Sequence, residues 1–151
     1  MATILVLYHS QEYGNTAAMA EAVAEGAKSA SADVTLINAN ERRITLDAYR
    51  TYDAVAFGTP DYFSYFAGTI KVFLDDWYIA KKISAARLTD KPYALFLSHG
   101  GGGRAQRPFE ELFSRMGTKV GETVTSRGRP TPAILEACRT LGKQLAQASR
   151  E

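Results

Sequence analysis

Three unbroken apolar runs constrain this chain more than any other feature. Ile4-Leu5-Val6-Leu7, Ala54-Val55-Ala56-Phe57 and Ala94-Leu95-Phe96-Leu97 show no alternation of apolar with polar residues. A strand with one wet face alternates, so such runs belong to strands covered on both sides, as in a parallel sheet between two helix layers. Two weaker segments, Asp33 to Asn38 and Lys119 to Ser126, complete the set; the latter spaces Val120, Glu122 and Val124 among small or polar residues. Both are read as edges. The predicted strands are therefore Thr3 to Tyr8, Asp33 to Asn38, Ala54 to Gly58, Tyr93 to Ser98 and Lys119 to Ser126. Helical patterns fall at Asn15 to Ser31, Leu46 to Arg50, Gly68 to Lys82, Ala105 to Met116 and Thr131 to Ser149. Strict alternation of strand and helix, with right-handed crossovers and the three apolar strands central, gives a five-stranded parallel sheet of order 2-1-3-4-5 with helices on both faces.

At 151 residues the chain fits one domain, 1–151, with room for a core that needs no disulfide or metal. No segment approaches the roughly 20 apolar residues that span a bilayer, so no membrane association is expected. Met1-Ala2-Thr3 leads straight into a strand without a signal-like apolar core, which predicts a cytoplasmic protein. A single cysteine, Cys138, excludes an internal disulfide, and two histidines are too few for a His cluster, so no metal is expected. Cys138 belongs to the stripe Ile134, Cys138, Leu141 and Leu145 behind Pro132, and is read as core. The net charge of +2 is scattered, which argues against nucleic-acid binding. The nearest thing to a basic patch is Arg104, Arg107, Arg127 and Arg129.

In the order 2-1-3-4-5, the loops after strands one, three and four meet at the carboxyl edge, where the strand order reverses and ligands bind. All three are unusual. Ser10-Gln11-Glu12-Tyr13-Gly14-Asn15-Thr16 offers hydroxyl and amide donors, a glycine and a helix N-terminus, which together suit a phosphate. The alternative is an ordinary helix start capped by Asn15 or Ser10. It contains no Lys or Arg and no G-x-x-x-x-G-K-[ST], so nucleotide hydrolysis is disfavoured. The second loop, Thr59 to Phe66, places four aromatics in five positions, an invitation to a planar ligand; Phe66 and Tyr65 are also candidates to fold back as a hydrophobic staple. The third, Ser98-His99-Gly100-Gly101-Gly102-Gly103-Arg104, lets its backbone approach a ligand edge, with His99 either bonding a ring or capping. Its match to G-x-G-x-x-A lacks the acidic residue that a dinucleotide site needs. His9 is read as a satisfied core residue. An anion cradle, an aromatic wall and a glycine floor describe a site for flavin mononucleotide (FMN).

The chain resembles the flavodoxin-like superfamily. Ser10 to Thr16 is similar to its phosphate loop, and Met19 to Ala27 to its first helix. Gly58-Thr59-Pro60, Phe63 and Lys71-Val72-Phe73-Leu74-Asp75 resemble the second flavin loop and helix, particularly in the NAD(P)H:quinone oxidoreductase branch allied to the tryptophan-repressor-binding protein. The resemblance implies a flavodoxin-like three-layer sandwich in which Ser10, Tyr13, Gly14, Asn15 and Thr16 bind the FMN phosphate. It likewise implies that Pro60, Asp61, Tyr62 and Phe63 flank the isoalloxazine, and that Ser98, His99, Gly100, Gly101 and Gly102 meet its pyrimidine side and ribityl chain. The chain lacks the extra segments of the quinone-reductase branch, and it is mildly basic where electron-carrier flavodoxins are strongly acidic.

The expected function is electron transfer through FMN, with no catalytic side chain. A redox partner protein would dock over Tyr62 to Phe66, and Arg104, Arg107 and Arg129 would meet an acidic partner. The alternative is an FMN-dependent NAD(P)H:quinone oxidoreductase, with NAD(P)H and a quinone as its partners; a further alternative is an interaction module that has lost its flavin. A monomer or homodimer is expected. A phosphorelay receiver shares the strand order but needs an acidic pair after strand one and an Asp ending strand three, where only Glu12 and a late Asp61 occur. A low-molecular-weight phosphatase needs a cysteine where Ser10 stands.

Overall fold

In the computed structural model, which describes residues 1–150, strand β1 (Thr3–Tyr8) shows how the layers form. Its residues alternate sides, Ile4 and Val6 to one helix layer and Leu5 and Leu7 to the other, and all four are buried. The same alternation holds in β3 (Ala54–Tyr62) and β5 (Lys91–His99). Ala54, Ala56, Ala94 and Phe96 join Ile4 and Val6 beneath α1 (Asn15–Ser29) and α5 (Pro132–Ala148). Val55, Phe57 and Leu95 join Leu5 and Leu7 beneath α3 (Gly68–Ile83) and α4 (Gln106–Phe113), with Tyr49 of α2 (Leu46–Arg50). Unbroken apolar strands thus feed two separate cores.

β2 (Asp33–Asn38) pairs parallel with β1, β1 with β3, and β3 with β5, so the four main strands stand in the expected order. The fifth position departs from the expected continuous strand. It is shared by β6 (Gly117–Lys119) and β7 (Val124–Arg127), each parallel to β5. Gly121, at φ 65°, turns the chain between them. β3 also runs past its expected end and pairs antiparallel with the two-residue β4 (Tyr65–Phe66). A single 3₁₀ turn, Ser114–Met116, follows α4.

The two helices of one layer, α1 and α5, approach closely because each turns a glycine towards the other's backbone. A Cβ on Gly26 would collide with the Arg139 carbonyl, and one on Gly142 with the Val23 carbonyl. The small strand residues Ala54, Ala56 and Ala94 let the same layer sit close to the sheet. Cys138 is buried there, and burial pushes its thiol up to about 12, so it is core, as expected.

Candidate functional site

The carboxyl ends of β1, β3 and β5 lie side by side, and the loops that follow them enclose a cleft of about 290 Å³. Ser10, Tyr13, Gly14, Asn15 and Thr16 all line it. Gly14, in the left-handed region at φ 77°, is the N-cap residue of α1, and no side chain caps the helix. The alternative of a cap by Asn15 or Ser10 is therefore ruled out. Asn15 already lies inside the first turn, and Ser10 is held elsewhere: its N–H donates to Asn38 Oδ1 (3.1 Å) while its carbonyl accepts from Asn38 Nδ2 (2.9 Å). The first turn also carries no acidic side chain, so the positive end of the helix dipole opens on the cleft.

Buried Thr16 and Ser98 are hydrogen-bonded through their hydroxyls at 2.7 Å, which ties the first loop to the end of β5. His9, just below, is buried and satisfied, as expected. Its Nε2–H donates to Gln11 Oε1 (2.5 Å), and Nδ1 accepts from the Thr69 hydroxyl (2.7 Å). Burial lowers its pKa against the opposing pull of Gln11, which keeps the ring neutral. Its edge meets the Tyr62 ring at a centroid distance of 5.7 Å, so His9 positions both Gln11 and Tyr62.

Pro60, Asp61 and Tyr62 line the cleft, but the aromatic wall is thinner than expected. Phe63, expected beside the ring, does not line the cleft: it stands fully exposed at the hairpin tip, because Phe63 and Ser64 both take left-handed backbone (φ 56° and 64°) to reverse the chain into β4. Phe66 turns inward, yet it packs on Phe109 and Phe113 of α4 at 5.9 and 5.7 Å, and Tyr65 stacks on it at 4.2 Å. Asp61 Oδ1 accepts the Ser64 N–H (2.9 Å) and Oδ2 the Ala105 N–H (3.1 Å). One carboxylate thereby joins the second loop to the third.

Ser98, His99 and Gly100 line the cleft, while Gly101 and Gly102 lie in an adjoining hollow of about 320 Å³ with Ser64 and Arg104. The two spaces share Asp61 and Gly100. His99 Nδ1 is buried without a hydrogen-bond partner, a polar atom left open in a site otherwise well satisfied.

Three lining residues escaped the sequence reading of the site. Gln11 and Glu12 belong to the first loop; the Glu12 carboxylate raises the pKa of Tyr13, and adds to the desolvation that raises that of Tyr62. Gly128 follows β7, and its N–H donates to the His99 carbonyl (2.7 Å). The turn sequence Arg127-Gly128-Arg129 after the last strand was the available signal. Arg107, grouped earlier with these arginines, pairs instead with Glu111 at 3.0 Å. Among the described residues, no group of three or more His, Cys, Asp or Glu side chains gathers to hold a metal, and no helix is long and apolar enough to cross a membrane.

A family model described as Flavodoxin matches residues 6–143. The chain belongs to the flavodoxin family. Similar solved structures extend over almost the whole flavodoxin fold. A flavodoxin from the domain Archaea is 29% identical, with a TM-score of 0.82 and 99% of each chain covered. A flavodoxin, WrbA-like protein from Agrobacterium tumefaciens is 27% identical, with a TM-score of 0.79 over 99% of this chain and 98% of that one. The two-electron reduced flavodoxin of Megasphaera elsdenii is 25% identical, with a TM-score of 0.76 over 95% of this chain and 98% of that one.

Proposed function

We propose that this chain binds FMN in the cleft and acts as an electron-transfer protein. The observation that carries the reading is the uncapped N-terminus of α1, which opens on the cleft lined by His99 and Gly100 at the end of β5. An anion would satisfy it. The residues fit FMN: the first-turn amides and the Ser10 hydroxyl would hold the phosphate, with the helix dipole in place of a lysine or arginine. Tyr62 would cover the ring, and Pro60 with the backbone of Ser98 to Gly100 would meet its edge. When bound, FMN supplies reversible one- and two-electron chemistry. The chain supplies binding, orientation and exclusion of water, through loops already fixed by the Thr16–Ser98 bond and the two bonds of Asp61. Exposed Arg104, Arg127 and Arg129, which have no ion pair among the described residues, support an acidic redox partner.

The likeness to the WrbA-like protein favours a second reading, an FMN-dependent NAD(P)H:quinone oxidoreductase. Titrating the purified protein with FMN and with riboflavin, read by flavin fluorescence, tests the shared part. One FMN per chain and at least tenfold weaker riboflavin binding are expected; no FMN uptake overturns both readings in favour of a module that has lost its flavin. With FMN loaded, steady NADH or NADPH oxidation with benzoquinone as acceptor assigns the enzyme. Reversible reduction without that turnover assigns the carrier.

A further inference from the structure

We infer that the third-loop side of the cleft is the docking face for an acidic protein: the hollow over Gly100 to Gly103 receives one of that partner's carboxylate side chains, and Phe63 enters an apolar recess beside it. The inference deepens the electron-transfer reading and rests on it for the partner's being a redox protein; the face itself is argued from this chain alone. Four glycines in a row need a reason, and the fold supplies one only for the last. Gly103 has left-handed backbone (φ 64°), and a Cβ there would press on the His99 ring at 3.2 Å. Gly100, Gly101 and Gly102 have no such backbone; a Cβ on Gly100 or Gly101 would meet nothing within 4 Å, and one on Gly102 only the Arg104 side chain, at 3.8 Å. What their bareness keeps open is the hollow of about 320 Å³, which an incoming group can enter as far as the main chain.

The charge of the hollow names the group. Arg104 lines it, exposed and with no ion pair among the described residues. Asp61 is the one acid on its wall, and both carboxylate oxygens of Asp61 already accept N–H groups, from Ser64 and Ala105. A guanidinium of this kind holds a carboxylate through two parallel hydrogen bonds. Arg127 and Arg129 extend the same charge, on either side of Gly128 at the end of β7, the neighbour of β5. Glu12, the opposing carboxylate of the cleft, belongs to the loop over β1, two strands from β5. The β5–β7 side is thus basic over a width that one small anion would not use.

Phe63 decides for a protein. Nothing in the chain covers its ring, and its backbone sits in the left-handed region at φ 56°, costly for a bulky residue. The next residue, Ser64, lines the hollow and is held by its N–H bond to Asp61, so the ring is presented on a fixed turn at the rim. An aromatic anchor beside arginines is the composition of the centre of a protein interface, and a small anion would leave this ring in water.

Amide NMR of the isotope-labelled protein tests the face, with cytochrome b5 as an acidic probe, cytochrome c as a basic one and inorganic pyrophosphate as a small anion. Cytochrome b5 should shift the amides of Ser64, Gly101, Gly102 and Arg129, with a dissociation constant that rises about tenfold or more between about 20 and about 300 mM salt; cytochrome c should not. Arg104→Glu should weaken this binding about tenfold or more. Lys143→Glu makes the same change of net charge about 16 Å along α5 from Pro132 and should alter it less than about threefold. Phe63→Gly should weaken binding about fivefold or more while the melting temperature holds or rises, because glycine suits φ 56° and the ring packs on nothing. FMN should shift Gly14 and Asn15 and leave the cytochrome b5 shifts in place. Without FMN uptake the flavin reading falls, while the face is still judged by the cytochrome shifts. Equal weakening by Arg104→Glu and Lys143→Glu, shifts with cytochrome c but not cytochrome b5, shifts of Gly101 and Gly102 with pyrophosphate alone, or loss of the cytochrome b5 shifts when FMN is added would each overturn the proposal.

Discussion

Asp61 joins two loops with one carboxylate, and its neighbours leave it no substitute. Replacing it with alanine strips the acceptor from the Ser64 and Ala105 N–H groups together. Asp61→Ala is expected to lower stability by about 1–3 kcal/mol in urea denaturation and to weaken FMN binding about tenfold, with Asp61→Asn intermediate because its one oxygen keeps one bond. Lys91 gives a pH test. It is buried, its Nζ donates to the Tyr52 carbonyl (2.5 Å) and lies 5.1 Å from the centre of the Tyr49 ring. Burial, helped by Arg87, brings its pKa down to about 8. An unfolded lysine titrates near about 10.4, so between the two values the unfolded chain holds more protons and Lys91 makes stability rise with pH. Cys138 runs the other way above about pH 8.5, so the test is the difference between the parent and Lys91→Met. The variant should be about 1–2 kcal/mol more stable at pH 7, since the Tyr52 carbonyl keeps an Arg87 N–H at 2.9 Å, and the gain should vanish towards pH 10. At this scale His9 and Cys138 were legible as core from their neighbours in sequence. The burial of Lys91 was not, because it depends on which strand of the sheet covers it.

The helices and strands that were legible are those whose period is local. Each central run announced itself, and α1, α3 and α5 begin at or within one residue of their expected positions. The β3–β4 hairpin did not announce itself. Thr59 to Phe66 was read as one loop, and the hairpin turn uses Phe63-Ser64 at two left-handed positions where Asn-Gly is the usual signal. The aromatic residues were read as a wall from which Phe66 and Tyr65 were candidates to fold back, and the hairpin sends Tyr62 to the cleft, Phe63 to solvent and Phe66 to the core. Gly26 and Gly142 were equally silent, since only the packed pair of helices shows why a side chain is excluded. Gly142→Ala tests that pair. Its Cβ meets the Val23 carbonyl, the helices must part, and a loss of about 1–3 kcal/mol is expected despite alanine's better helix propensity, read as a lowered melting temperature. FMN affinity should fall with it, because the displaced helix is the one that opens on the cleft.

No single loop of the whole molecule is a binding site. In the proposed site α1 would supply the anion end, β3 the ring face and β5 the polar edge, and the bonds between these parts cross between elements: Thr16 to Ser98, Asp61 to Ala105, His99 to Gly128. The cleft therefore exists only when both helix layers and the central sheet are in place, which is also why three individually ambiguous loops became specific once the strand order set them side by side. A ligand of such a site binds the native state alone, and its binding energy appears in full as stability. At a free FMN concentration about one hundred times its dissociation constant, stability should rise by about 2.7 kcal/mol, which for a chain of this size raises the melting temperature by about 5–10 °C. Riboflavin at the same concentration should give a clearly smaller shift, because it leaves the α1 N-terminus without an anion. Scanning calorimetry with no ligand, FMN and riboflavin measures all three, and the unfolding should remain a single transition. Equal shifts for the two flavins would remove the phosphate, and with it α1, from the site; a transition that splits when FMN is added would mean that the cleft is held by one part of the fold instead of by all of it.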